Sequence, residues 1–126
     1  MRIHQEIRFK ASPAKIYAAL TSGREFGQIT GAPAEMAAVD GGAFSFFGGQ
    51  ITGRNIELAA DKGVVQAWRA GAWPSGVYSI VRIALEKEGD GTKLTLDHSG
   101  FPEGAAEHLE GGWHKMYWEP LRSYLG

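Results

Sequence analysis

Hydrophobic and polar residues alternate cleanly at the start of the chain. Ile3, Gln5, Ile7 and Phe9 share one face, and His4, Glu6 and Arg8 share the other. A period of two predicts a half-buried strand. Ser12 followed by Pro13 reads as an N-cap with proline at the first helical position. Ile16, Tyr17 and Leu20 then supply the apolar stripe of a short helix. A further helical turn is expected around Glu25–Ile29, stopped by Gly31 and Pro33.

From Glu35 to His98 the pattern is strand, turn, strand. Turns are predicted at Asp40–Gly42, Gly48–Gly49, Asp61–Gly63, Gly71–Gly76 and Gly89–Gly91. No helical stretch interrupts them, so the sheet should be an antiparallel meander of six or seven strands. A two-residue turn at Gly89-Asp90 pairs Leu85 with Leu94 and Val81 with His98. It places Val81, Ile83, Leu85, Leu94, Leu96 and His98 on the core face. A turn at Asp90-Gly91 shifts partners by two and leaves the faces unchanged. A two-residue loop in the hairpin at Asp61–Gly63 sets Leu58 and Ile56 opposite Val65 and Ala67 on an inward face that continues to Arg54 and Arg69. Glu57 and Gln66 then fall on the outer side. Phe44, Phe46 and Ile51 have the wrong parity to join that face, and a β-bulge at Gly53 would restore it.

The last element is the longest. From Pro102 onward, Leu109, Trp113, Met116, Tyr117, Leu121, Tyr124 and Leu125 recur at helical spacing, with glutamates early and Arg122 late, as the helix dipole favours. Pro120 should kink this helix. Gly111 and Gly112 are poor helix formers, and the expectation is that they admit a close neighbour. The whole of 1–126 is expected to be one α+β domain. Its curved antiparallel sheet should wrap around the long C-terminal helix, with short helices after strand 1.

Composition narrows the function. With 126 residues, 44% of them hydrophobic, the chain encloses one core. A net charge of −1 lacks the basic surplus that binding nucleic acid through phosphates requires. The absence of cysteine excludes disulfides and thiolate zinc sites. Neither a signal-peptide core nor a membrane-length apolar run occurs, so a cytoplasmic protein is expected. Dinucleotide, phosphate-loop, nucleophile-elbow and zincin signatures are all missing, and no cofactor is expected. Glu110 and His114 lie one turn apart, but no third ligand follows at a recognisable spacing, so no metal site is assigned.

Several segments together carry a family resemblance. They are Ala11–Ala14 with Ile16 and Tyr17, Gly41–Phe44, Gly48–Gly53, Val64–Arg69, Leu94–Gly100, Gly112-Trp113, Tyr117-Trp118 and Pro120-Leu121. Their order and spacing resemble the START-like, or helix-grip, superfamily, which includes polyketide cyclases and the birch-pollen allergen type. Within it the chain resembles the domain named after the activator of the ninety-kilodalton heat-shock protein's ATPase. The resemblance implies the helix-grip fold and a mainly apolar cavity between sheet and helix. It does not imply one activity, because members of such folds bind diverse partners. The eukaryotic co-chaperone also carries a further N-terminal domain, which these 126 residues do not include.

The candidate chemistry is sparse. His98 lies on the core face, where a neutral imidazole can hold a ligand or act as a general acid-base group; it can equally be a core-edge histidine satisfied by its surroundings. Arg54 and Arg69, if both point inward, would repel unless an anionic head group sits between them. Trp113 and Tyr117 lie on the buried stripe, as core packing or as an aromatic wall. Trp73, in a loop beside Pro74, is harder to explain as core. Three readings follow: a module binding a small, mainly apolar molecule with an anionic end at Arg54, Arg69, Trp73, His98, Trp113 and Tyr117; a co-chaperone or other protein-interaction domain; and a hydrolase or cyclase using His98. The first is preferred and catalysis is not expected, because no nucleophile or second acid-base partner is identifiable beside His98.

Overall fold

In the computed structural model, which describes residues 1–126, strand β1 (Arg2–Phe9) buries every second residue, as its alternation predicts. Helix α1 (Pro13–Thr21) begins where Ser12 Oγ accepts the Lys15 amide at 3.3 Å, with Pro13 in the first turn. Helix α2 (Gly23–Thr30) follows at once. Ser22 caps it by accepting the Glu25 amide at 3.1 Å, and Gly31 ends it in the left-handed conformation, φ 73°.

The remaining strands are β2 (Glu35–Met36), β3 (Ala43–Phe46), β4 (Ile51–Ala59), β5 (Gly63–Ala70), β6 (Ser79–Glu88) and β7 (Gly91–Ser99). They form one antiparallel sheet in the order β1-β7-β6-β5-β4-β3-β2. The meander places successive strands side by side, and β1 closes the far edge by pairing with the last strand. Leu85 faces Leu94 and Val81 faces His98, as the two-residue Gly89-Asp90 turn requires.

The β4–β5 hairpin departs from expectation. Ala59 pairs with Gly63, so the loop has three residues, Ala60–Lys62, with Asp61 at φ 63°. Asp tolerates that conformation better than most residues. One extra loop residue shifts the register by one and turns β5 over. Val64, Gln66 and Trp68 therefore point inward, while Val65, Ala67 and Arg69 point outward. A bulge exists in β4, but between Asn55 and Glu57 rather than at Gly53. The ladder runs regularly through Gly53, which pairs with Phe44 on one side and Trp68 on the other. The phenyl ring of Phe44 lies across Gly53 so closely that a Cβ there would meet it at 2.7 Å. The inward placement of Arg54 and Arg69, and the outward placement of Gln66, are thus both corrected.

The C-terminal helix begins at Ala106, after a turn at Pro102–Ala105, four residues later than its pattern suggests. It comprises an α-helical part α3 (Ala106–Gly112), a π-helical part (Trp113–Trp118) and a closing part α4 (Glu119–Leu125). The irregularity expected at Pro120 takes the form of this π segment just ahead of it. Proline has no N–H to donate, and it sits in the first turn of α4, where none is required. Gly111 and Gly112 do not admit a neighbour: a Cβ at either would meet nothing within 4 Å. No helix is long and apolar enough to cross a membrane. The sheet curves around the C-terminal helix with α1 and α2 after the first strand, which is the helix-grip arrangement.

Candidate functional site

Between sheet and C-terminal helix the chain gathers most of its rings. His98 is fully buried on β7, where it faces Ile3 of β1 and Val81 of β6. Trp68 on β5 pairs across the ladder with Ser79, the first residue of β6. Register therefore brings Trp68, Ser79 and His98 to one end of the sheet. Trp113 descends on them from the π segment of the helix.

Four polar groups link these residues in a chain. Trp113 Nε1–H donates to His98 Nδ1 at 3.0 Å, and an indole N–H can only donate. Nδ1 must therefore be the unprotonated nitrogen, so the neutral ring carries its proton on Nε2. Nε2 lies 2.7 Å from Ser79 Oγ, and the hydroxyl in turn donates to the Trp68 carbonyl at 3.0 Å. Every hydrogen-bonding position of the imidazole is used within the protein. Burial away from water disfavours the imidazolium and lowers the His98 pKa from 6.5 to about 4.

This geometry is not that of a histidine activating a serine nucleophile. A general base must present a bare nitrogen to the serine hydroxyl, and here the nitrogen facing Ser79 is the protonated one. Ser79 itself is fully buried, with its proton committed to a backbone carbonyl. The His98–Ser79 pair is a structural tie.

Rings fill the space around it. Trp68 stacks on Trp113 with centroids 5.6 Å apart, and Trp113 stacks on Trp118 at 5.4 Å. Tyr117 lies 4.3 Å from Trp113 and 5.3 Å from Phe26, which continues to Phe46 at 4.4 Å. Trp73 reaches back from its loop to Trp68 at 5.7 Å, and Phe101 closes on His98 at 5.3 Å. Tyr117 Oη accepts from Trp68 Nε1 at 3.4 Å, and burial raises its phenol pKa above the ordinary value.

Of the residues singled out by sequence, Trp73, His98, Trp113 and Tyr117 come together here. Arg54 and Arg69 do not. Arg54 is exposed and donates to the Gly41 carbonyl at 3.1 Å. Arg69 donates to the carbonyls of Trp73 at 2.9 Å and Pro74 at 3.3 Å, and so holds their loop in place. Trp68 and Ser79 were missed. Trp68 was hidden by the slipped register, whereas Ser79 carries no signal beyond its place at the start of a strand. Gln5 was placed inward correctly, and its amide joins β1 to the helix by accepting from Trp118 Nε1 at 2.8 Å and donating to the Glu110 carbonyl at 3.1 Å. Glu110 and His114 are exposed on the helix, and nowhere do three potential metal ligands gather. A depression of about 750 Å³ lies at the other end of the molecule, bounded by Arg8, Phe9, Glu88, Arg122 and Leu125.

Residues 10–126 match the sequence model of the family described as Activator of Hsp90 ATPase homolog 1-like protein. The human Activator of 90 kDa heat shock protein ATPase homolog 1 is 29% identical over 119 residues, which cover 94% of this chain and 35% of that protein. The Dictyostelium discoideum homolog is 31% identical over 108 residues, covering 85% of this chain and 28% of its own length. The chain thus spans about a third of the length of the curated relatives it matches. Among solved structures, an HSP90 activator from Plasmodium falciparum superposes with a TM-score of 0.94 at 25% identity, covering 100% of this chain and 96% of that one. The Aha1 dimer from Colwellia psychrerythraea gives 0.84 at 25% identity, with 99% and 96% covered. CalU16 from Micromonospora echinospora gives 0.83 at 22% identity, with 99% and 76% covered, and shares the fold.

Proposed function

The chain belongs to the Activator of Hsp90 ATPase homolog 1-like family, and from that membership together with its ring-filled interior we propose that it is a protein-interaction domain that engages an Hsp90-type chaperone and raises its ATPase activity. The carrying observation is the closed interior. Trp68, Trp113 and Tyr117 occupy the space between sheet and helix, and His98 has no hydrogen-bonding position left for a ligand. A domain so filled meets its partners through its surface. Support for the partner class comes from relatives named as Hsp90 activators, including one whose structure this chain covers almost completely.

The test is the steady-state ATPase rate of a purified Hsp90-type chaperone titrated with this protein. A saturable rise in rate, with co-migration of the two proteins on gel filtration, is expected. An unchanged rate with no co-migration sinks the proposal.

A small apolar molecule remains the second reading, supported by the START-like architecture, without the anionic head that an inward Arg54 and Arg69 would have held. It would need Tyr117 or Phe47, whose rings lie 5.6 Å apart, to swing away from the helix. Native mass spectrometry of gently purified protein checks it directly. A stoichiometric bound mass would favour this reading over the first.

A further inference from the structure

Three arginines stand together on the outward face of the sheet. Arg54 on β4 lies directly across from Ala67 on β5. Arg69 is two residues along β5 from Ala67. Arg82 on β6 faces Val65, two residues the other way. Val65 and Ala67 thus form a narrow apolar strip with an arginine on each side and one at its end. Strand spacing makes the patch roughly 13 Å long and 10 Å wide. A shallow hollow of about 300 Å³ lies at its Val65 end, bounded by Glu57, Lys62, Val65, Arg82 and Ala84. Tyr78, half exposed, supports the Arg69 guanidinium 5.9 Å from its ring centre.

None of the three arginines is in an ion pair. The ion pairs of the protein join Arg2, His4 and Arg8 to Asp97, Glu6 and Glu88. Arg54 and Arg69 are steadied by backbone carbonyls, which satisfy donors without cancelling charge. Six carboxylates share this face: Glu6 and Glu88 are paired with His4 and Arg8, and Glu86 stands across from Lys93. Asp97 stands across from Arg82 but is held by His4 at 2.8 Å and Arg2 at 3.7 Å. Glu57 faces Val65, and Glu35 lies on the far edge strand, paired with Ser45. A chain of net charge −1 therefore presents a stretch of this face where Arg54 and Arg69 have no carboxylate partner and Arg82 stands between Asp97 and Glu57 without pairing to either, while Glu103, Glu107, Glu110 and Glu119 are exposed on or just before the C-terminal helix.

We propose that this outward face is the docking surface for an acidic segment of a partner protein, laid along β5. Its carboxylates meet Arg54, Arg69 and Arg82, and its small apolar side chains rest on Val65 and Ala67. A guanidinium pairs with a carboxylate through parallel N–H donors, which suits arginine over lysine at these positions. Spaced carboxylates fit better than a continuous polyanion, because Glu57 and Asp97 at the margins would repel a phosphate backbone. The inference deepens the reading above by naming a surface and a partner chemistry, and it rests on that reading for the partner's identity.

The test uses a fluorescein-labelled peptide alternating glutamate with alanine, followed by anisotropy. Wild-type protein should bind it saturably and lose affinity between about 50 and 500 mM salt. Combined Arg54→Gln, Arg69→Gln and Arg82→Gln substitutions should weaken binding roughly tenfold or more. Combined Lys15→Gln, Arg24→Gln and Lys115→Gln substitutions, with the same charge change on other surfaces, should leave it within about twofold. Arg82→Gln alone breaks no hydrogen bond within the protein and should still cost about threefold, so a folding defect is not mistaken for lost docking. Equal binding by the two triple variants overturns the proposal. So does tighter wild-type binding to phosphatidylserine vesicles or to a DNA duplex than to the peptide. Peptide binding on this face without any effect on chaperone ATPase would remove the functional reading and leave the surface standing. ATPase activation undiminished in the Arg54, Arg69, Arg82 triple would do the reverse.

Discussion

The indole N–H of Trp113 lies 3.0 Å from Nδ1 of His98, so the residue that seats the C-terminal helix on the sheet also decides which imidazole nitrogen carries the proton. Protonating Nδ1 would turn this acceptor into a second donor facing the indole N–H. Helix docking and histidine neutrality are therefore the same condition.

Acid should loosen the fold in a defined window. The folded-state pKa of His98 is about 4 against 6.5 for the free side chain, so between those values the unfolded chain binds a proton that the folded chain does not. Stability then rises with pH across the window and falls on acidification, by up to about 3 kcal/mol. Urea unfolding at intervals from pH 7 to pH 4 measures the slope, which His98→Gln should flatten. His4 has the opposite sign: its hydrogen bond to Asp97 raises its pKa, so its contribution is present at low pH and is lost as pH rises through that raised value.

Trp113→Ala should cost about 3–5 kcal/mol, the usual range for a buried large aromatic. Trp113→Phe retains much of the packing but leaves His98 Nδ1 without a donor, and should cost about 1–3 kcal/mol. Chemical denaturation midpoints check both. An unchanged midpoint in the alanine variant would mean that the helix is not seated through this residue.

Gly53 should tolerate no side chain. A Cβ there meets the Phe44 ring at 2.7 Å and the Ala67 carbonyl oxygen, which is backbone and cannot swing aside. Gly53→Ala is expected to destabilise by about 2 kcal/mol or more. Adding Phe44→Leu should recover only the part due to the ring, and a double-mutant cycle separates the two contacts.

The helix glycines should behave in the opposite way. Gly111→Ala and Gly112→Ala place a methyl in open space within a regular right-handed helix, so each should stabilise by up to about 1 kcal/mol. Thermal melts of the two single variants are sufficient to show it.

Much of this fold could be read from residue order alone, and the exception that matters most for the site has one cause. The alternation from Ile3 to Phe9 leaves no choice of face, and a two-residue turn at Gly89-Asp90 fixes Val81 against His98. The β4–β5 hairpin was open because Val64 and Val65 are both apolar, so the pattern accepts either register. The decision rests on one residue of loop length and on Asp61 entering the left-handed region. That single residue moved Arg69 to the outside and Trp68 to the inside. The site was legible as far as His98 and Trp113. Its other half was not: Trp68 was turned to the wrong face by the slipped β4–β5 register, and Ser79 carries no signal beyond its place at the start of β6.

The amide of Gln5 also sets the order of events when the chain folds. Its partners are Trp118 and the Glu110 carbonyl, more than a hundred positions away, and β1 pairs only with β7. In a chain made from its N-terminus, β1 appears first and waits for nearly everything else before it has a strand to join. Closure of the sheet's edge then carries a large loop-closure cost, and the expectation is that the clasp forms late. Gln5→Leu should accordingly speed unfolding much more than it slows refolding, which stopped-flow rates on both limbs would reveal.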